Sequence, residues 1–295
     1  MSSQGNDSPA NGLPAWQYAP FDRFFEYAEQ VDRLLHLTVH GIRILSTHDT
    51  LVDRVQDYDN VRHRYESDPS GKAKSPKQVA ELEAARAEAA FARAEVENDF
   101  PKLRAHSLLD LWGALEVLIE DLLVAWLMHA PELLSSDQLS RVRIPLGEYQ
   151  RLDEEERLRF LVHELVRERK ADLKGGVTRF EVMLAVIGLD GEVGNSLRQA
   201  MWEVHQVRNS LAHRTGLADR RLLAACPWMP LNIGDPVPVK ESQRYDIAIT
   251  SYVFIIFNRA RSRGGLPPID FPAYETKSDT GQREGMPSAA AESNT

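Results

Sequence analysis

From Phe21 onward the apolar positions Phe24, Tyr27, Val31, Leu34, Leu35, Ile42 and Leu45, with Thr38 among them, return at steps of three and four residues. That is the spacing of one helix face, and it predicts a long amphipathic helix continuing past Val52 and Val55. Glu66 to Gly71, carrying Pro69 and Gly71, interrupts the pattern, and the Ala- and Glu-rich run from about Lys77 to Asn98 reads as a second helix. Together the two predict an antiparallel helical hairpin over residues 21–100.

Pro101 restarts the chain. Leu108 to Leu127 then carries Leu109, Leu111, Trp112, Leu115, Leu118, Ile119, Leu122, Leu123 and Trp126 with few polar interruptions, the pattern of a helix buried on most sides. Glu154 to Lys170 is amphipathic, and Arg179 to Ile187 is short and apolar between Gly175, Gly176 and Gly188. Val193 to Ala212 presents Leu197, Met201, Val204, Val207 and Leu211 on one face, with Gly216 placed as a left-handed stop. Residues 217–240, with Pro227, Pro230, Gly234, Pro236 and Pro238, read as a loop with a short extended piece before a closing helix from about Arg244 to Arg261. No repeat and no alternating strand stands out, so the predicted class is all-α, with the main helical domain over 101–265. Residues 1–20 and 266–295, rich in Ser, Gly, Pro, Asn and Thr, are expected to be disordered tails.

Composition narrows the class without changing it. The 295 residues, 43% of them hydrophobic, suffice for a substantial core, and the one cysteine, Cys226, allows neither a disulfide framework nor a thiolate zinc site. A reducing compartment follows, with Cys226 a small apolar residue. The first twenty residues lack a secretory arrangement and no apolar run reaches spanning length, so a soluble, cytoplasmic protein without membrane contact is expected. A net charge of -9 argues against sequence-blind coating of nucleic acid. Between residues 198 and 221 the balance reverses, because Arg198, Arg208, Arg214, Arg220 and Arg221 outweigh Glu203 and Asp219. That patch is either a local phosphate contact or a solvated face.

Within the patch lies Arg208-Asn209-Ser210-Leu211-Ala212-His213, a permanent cation, an amide and a titratable imidazole inside two helical turns. Histidine carries a proton near neutral pH and guanidinium grips phosphate oxygens through a planar fork of donors, the chemistry that RNA cleavage uses. Arg followed by His at comparable spacing also occurs at Arg33 and His40, Arg43 and His48, Arg157 and His163, and Arg198 and His205, so spacing alone nominates nothing. Only Arg208 is followed directly by Asn, at a helix end, ahead of a glycine and within a basic excess.

Over roughly residues 102–262 the chain resembles HEPN domains. Glu203 to Asp219 is similar to that family's run of an acidic residue, Arg-Asn-x-x-x-His, Gly and Asp; Leu111 to Glu116 resembles its first core helix, and the Gly234-Asp235 segment ahead of Tyr245 resembles its closing piece. The resemblance implies a HEPN-like helical bundle and a metal-independent endoribonuclease that needs no cofactor. His213 would be its general acid or base, Arg208 would stabilise charge on the pentavalent phosphorus, and Asn209 would orient the His or contact phosphate. His205 and Arg214 would bind substrate, Glu203 and Glu116 would support the site, and the products would be a 2′,3′-cyclic phosphate and a 5′-hydroxyl. Resembling domains serve in toxin–antitoxin and anti-phage systems, which implies a toxin or defence effector restrained by an antitoxin or regulatory protein.

Helix geometry limits what one copy can do. Five steps of about 100° leave Arg208 and His213 about 140° apart in azimuth and about 7.5 Å apart along the axis. One motif is therefore half a site, and a homodimer that brings two copies to one groove is expected, as in the resembling enzymes. The blander alternatives are that Arg208 pairs with Glu203 or faces Glu116, and that His213 simply favours the C-terminal helix dipole. On that alternative the chain is a non-catalytic dimerisation and binding module. Glu116 and Glu120 lack the Glu-x-x-His partners of a bundle metal centre, and His163-Glu164 lacks a second zincin His. His205 and His213 stand two turns apart, too far to share a zinc. Gly188, Gly191 and Gly194 read as turn residues, and Trp112 and Trp126 as core.

Overall fold

The computed structural model describes residues 12–50, 54, 58, 76–168, 175–239, 242–271 and 274, and among these every regular element is a helix. α1 is Ala15–Leu45, α2 Pro76–Glu97, α3 Pro101–His129, α4 Leu146–Tyr149, α5 Glu154–Glu168, α6 Val177–Leu184, α7 Asn195–Arg214, α8 Arg220–Ala225 and α9 Ser242–Arg263. Short 3-10 turns lie at Pro131–Ser135 and Ala185–Ile187. The all-α class holds. The chain divides into two compact units, Met1–Ala28 with Leu108–Thr295, and Glu29–Ser107.

The larger unit is organised around α3, where Leu108, Trp112, Leu115, Leu122 and Leu123 have no exposed surface. Met201, Val204 and Val207 of α7 and Tyr245, Ile249, Tyr252 and Ile256 of α9 are equally enclosed, and α7 packs on α9 and α6. Burying each such side chain stabilises the fold by about 1.5–3 kcal/mol before conformational entropy is subtracted.

The first turns of α1 belong to this unit rather than to a tail or a hairpin. Leu13 and Phe21 are wholly buried, the Phe21 ring meets Phe257 at 5.0 Å, and Trp16 stacks on His129 at 4.2 Å. Arg23 binds Asp121 at 2.7 Å, and Arg159 of α5 reaches the same buried carboxylate at 2.8 Å. At the other end, Asn258 exchanges hydrogen bonds with both backbone groups of Ile269, and Phe271 stacks on Phe254 at 3.9 Å. The expected tails 1–20 and 266–295 are thus too long, because few but large anchors outweigh a polar composition. Residues 1–11 and 275–295 lie outside the described residues.

In the smaller unit, Arg93 of α2 binds Asp49 at 2.6 Å while Arg43 of α1 lies over the Phe100 ring. One index rises as the other falls, so the two segments run antiparallel. Their apolar stripe is only partly covered: Val31, Leu35 and Ile42 are half-buried, Leu34 and Leu45 are exposed, and Ala89 and Ala92 of α2 are buried. Val52, Val55 and the break at residues 66–71 lie outside the described residues.

Past α7 the sequence reading and the fold part company. Thr215 as well as Gly216 takes a left-handed conformation, at φ 56° and 77°, and the Gly216 N–H returns to the Ser210 carbonyl at 3.1 Å. The stop is therefore a two-residue one. The loop expected over 217–240 contains α8, capped by Asp219 Oδ1 accepting from the Leu222 N–H at 2.9 Å. Its proline-rich remainder folds back so that Leu217 bridges Pro236, the only extended pairing among the described residues.

Candidate functional site

α7 divides its residues by face. Leu197, Met201, Val204 and Val207 line the core, Leu211 is only half-buried, Arg208 and Asn209 are half-buried at the margin, and His213 and Arg214 are exposed at the last turn.

At the margin three helices meet in a charged cluster. Glu116 of α3 accepts from Arg179 Nη1 of α6 at 2.9 Å and pairs with Arg208 Nη2 of α7 at 3.6 Å. Arg208 Nη1 also donates to Asn209 Oδ1 at 3.3 Å, so the guanidinium is held on two sides. Asn209 turns its amide nitrogen to within 3.4 Å of His205 Nε2, and Gln206 Nε2 lies 3.2 Å from His205 Nδ1. The His205 ring sits between Trp112 at 5.6 Å and Trp202 at 6.2 Å.

Burial, and then the positive charges of Arg179 and Arg208, hold the His205 imidazole below its ordinary pKa, with Glu116 opposing weakly. A group depressed in the folded state takes up its proton more readily when unfolded. The native state therefore loses stability as pH falls through the unfolded value of about 6.5. His205→Gln is expected to flatten the fall in urea midpoint between about pH 7 and 5; a midpoint-against-pH curve parallel to wild type would contradict the assignment.

Gly175 sets the position of that ring. A Cβ built there would lie 2.4 Å from His205 Nδ1 and 3.0 Å from the Trp202 ring, closer than side chains tolerate. Gly175→Ala is expected to displace the imidazole and to cost about 1–3 kcal/mol, seen as a lower melting temperature together with moved His205 ring resonances. Unmoved resonances would refute the contact.

The two expected supporting acids fare differently. Glu116 meets Arg208 directly. Glu203 does not: it is buried and turned to the opposite side of α7, where Tyr245 Oη donates at 2.7 Å, Arg244 Nη2 at 2.8 Å and Trp228 Nε1 at 3.1 Å. It holds α9 and the segment after α8 instead of the motif. Arg214 pairs with Asp219 at 3.6 Å. His213 makes no hydrogen bond or ion pair among the described residues, and Asn209 reaches His205 rather than His213.

Arg179, Gln206 and Gly175 were not foreseen, and only the glycine doublet at 175 and 176 offered a signal. Cys226 is buried, and its surroundings, together with the negative charge of Glu203, push the thiol up to about 12, so it is no nucleophile near neutral pH. Among the described residues no group of three or more His, Cys, Asp and Glu is arranged to hold a metal ion, and no helix is long and apolar enough to cross a membrane. No family model, no curated protein and no solved structure matches the chain.

Proposed function

We propose that the chain is a metal-independent endoribonuclease of the HEPN type that works as a homodimer, with residues 101–265 as the HEPN-like domain. The observation that carries this reading is the division of labour along one helix end. Arg208 is oriented by Glu116 and Asn209, while His213 stands exposed on the final turn with its imidazole open to a ligand. In the reaction the 2′-oxygen of RNA attacks the adjacent phosphorus as His213 takes its proton, and the bond to the 5′-oxygen breaks as that oxygen gains a proton from the second copy's motif. Arg208 stabilises the charge that builds on the equatorial oxygens. His205, neutral at physiological pH, and Arg214 bind the neighbouring substrate. The biological role that goes with this chemistry is that of a cytoplasmic toxin or phage-defence effector, restrained by an antitoxin or regulatory protein.

The test is purified protein incubated with a broad RNA panel in EDTA, with the ends of the products analysed. Fragments ending in 2′,3′-cyclic phosphate and 5′-hydroxyl are expected; intact RNA across the panel sinks the proposal. A second reading has its own observation. Glu116 already neutralises part of the charge of Arg208 and Arg179, as in a non-catalytic dimerisation and binding module whose motif is structural.

A further inference from the structure

Beside the charged cluster, α6, α7 and the segment after α8 line an open cavity of about 470 Å³, within the range of about 300–1,000 Å³ common to small-molecule sites. Trp202 and Trp228 form its apolar wall, and Thr178, Asn195, Arg198 and Gln199 supply polar groups. Both indoles are fixed. Trp202 Nε1 donates to the Ala225 carbonyl at 2.9 Å and Trp228 Nε1 to Glu203 Oε2 at 3.1 Å. Each ring has engaged its one polar atom within the protein, so what it offers a ligand is hydrocarbon surface in a set orientation.

Gly175 and Gly176 complete the wall, and at Gly176 even a Cβ would approach the Trp202 Cα to 3.1 Å. Gly175 touches both Trp202 and His205, so the cavity and the Arg208 cluster share a boundary one residue thick.

We propose that this cavity is a base subsite, taking the nucleobase of a ribonucleotide next to the phosphate held at Arg208; the assignment rests on the ribonuclease reading. A base matches the lining in three ways. Its π-face stacks on indole, its edge carries the donors and acceptors that Asn195, Gln199 and Thr178 complement, and the phosphate attached to it meets Arg198 or the arginines across the boundary.

The experiment uses the full chain carrying His213→Ala, so that nothing is cleaved, titrated calorimetrically with AMP, GMP, CMP and UMP and with ribose 5-phosphate as a base-free control. At least one nucleotide is expected to saturate, and ribose 5-phosphate is not. Trp228→Phe keeps a stacking ring but loses the bond to Glu203; Trp228→Ala loses both. Binding within about threefold of the parent for Phe, and weaker by about tenfold to a hundredfold for Ala, supports the subsite. Equal weakening by both, saturation by ribose 5-phosphate, or no saturation by any nucleotide overturns it. Should Trp228→Ala fail to fold, Gln199→Trp, which fills the cavity from an exposed position, decides in its place: binding is lost if the proposal holds and unchanged if it does not. Nucleotide binding of this kind by a wild-type protein that cuts no RNA removes the ribonuclease reading and leaves the subsite standing.

Discussion

On the proposed reading, His213→Ala is expected to lower single-turnover RNA cleavage by about 10²–10⁴-fold, the loss that follows removal of a positioned acid–base group. The same substitution leaves the melting temperature within a degree or two of wild type, since an exposed side chain without partners among the described residues contributes little to the fold. That separation is what makes the variant decisive. Most losses of activity on mutation are losses of folded protein, and here the structure removes that explanation beforehand. His205→Ala is the natural control: it takes away an imidazole eight residues earlier, half-buried between two tryptophans and bonded to amides, and it should lower stability as well as activity. Equal cleavage by wild type and His213→Ala would discard the ribonuclease reading in favour of the binding module.

The second large effect is on stability. Glu203→Ala is expected to cost about 1–3 kcal/mol, the range for leaving a buried polar group without its partner. It removes the acceptor that the fully buried Tyr245 hydroxyl, Arg244 and the Trp228 indole N–H share, although Arg244 and Trp228 are part-exposed and Arg244 also donates to Tyr274. Glu203→Gln keeps a carbonyl acceptor and should cost less. Urea denaturation followed by tryptophan fluorescence measures both, and a loss below about 1 kcal/mol for the Ala variant would show that solvent replaces the carboxylate.

How much of this could be read in the sequence differs by level. The helices of the larger unit were legible because α3 and α7 bury strongly patterned faces, and the pattern is a direct record of that burial. α8 was not, since four prolines follow it within the same stretch and the informative residue is a single cap, Asp219. Leu13 and Trp16 were lost for a related reason: composition averages over a window, whereas burial is decided by one large side chain finding a hole. Glu203 was misjudged although the geometry was at hand. The five-residue separation that places Arg208 and His213 about 140° apart applies equally to Glu203 and Arg208, so an acid at that position belongs on another face. Arg179 carried no local signal, because its role comes from a partner sixty-three positions away on α3.

That last contact has a consequence for when the chain becomes competent. Glu116, Arg179 and Arg208 lie on three helices that meet only after the bundle has docked, and the order of synthesis delivers Arg208 last. A nascent or partly melted chain holds the hexapeptide in full yet lacks the carboxylate that aims its guanidinium. The orientation of the arginine is therefore a property of the three packed helices and not of the hexapeptide.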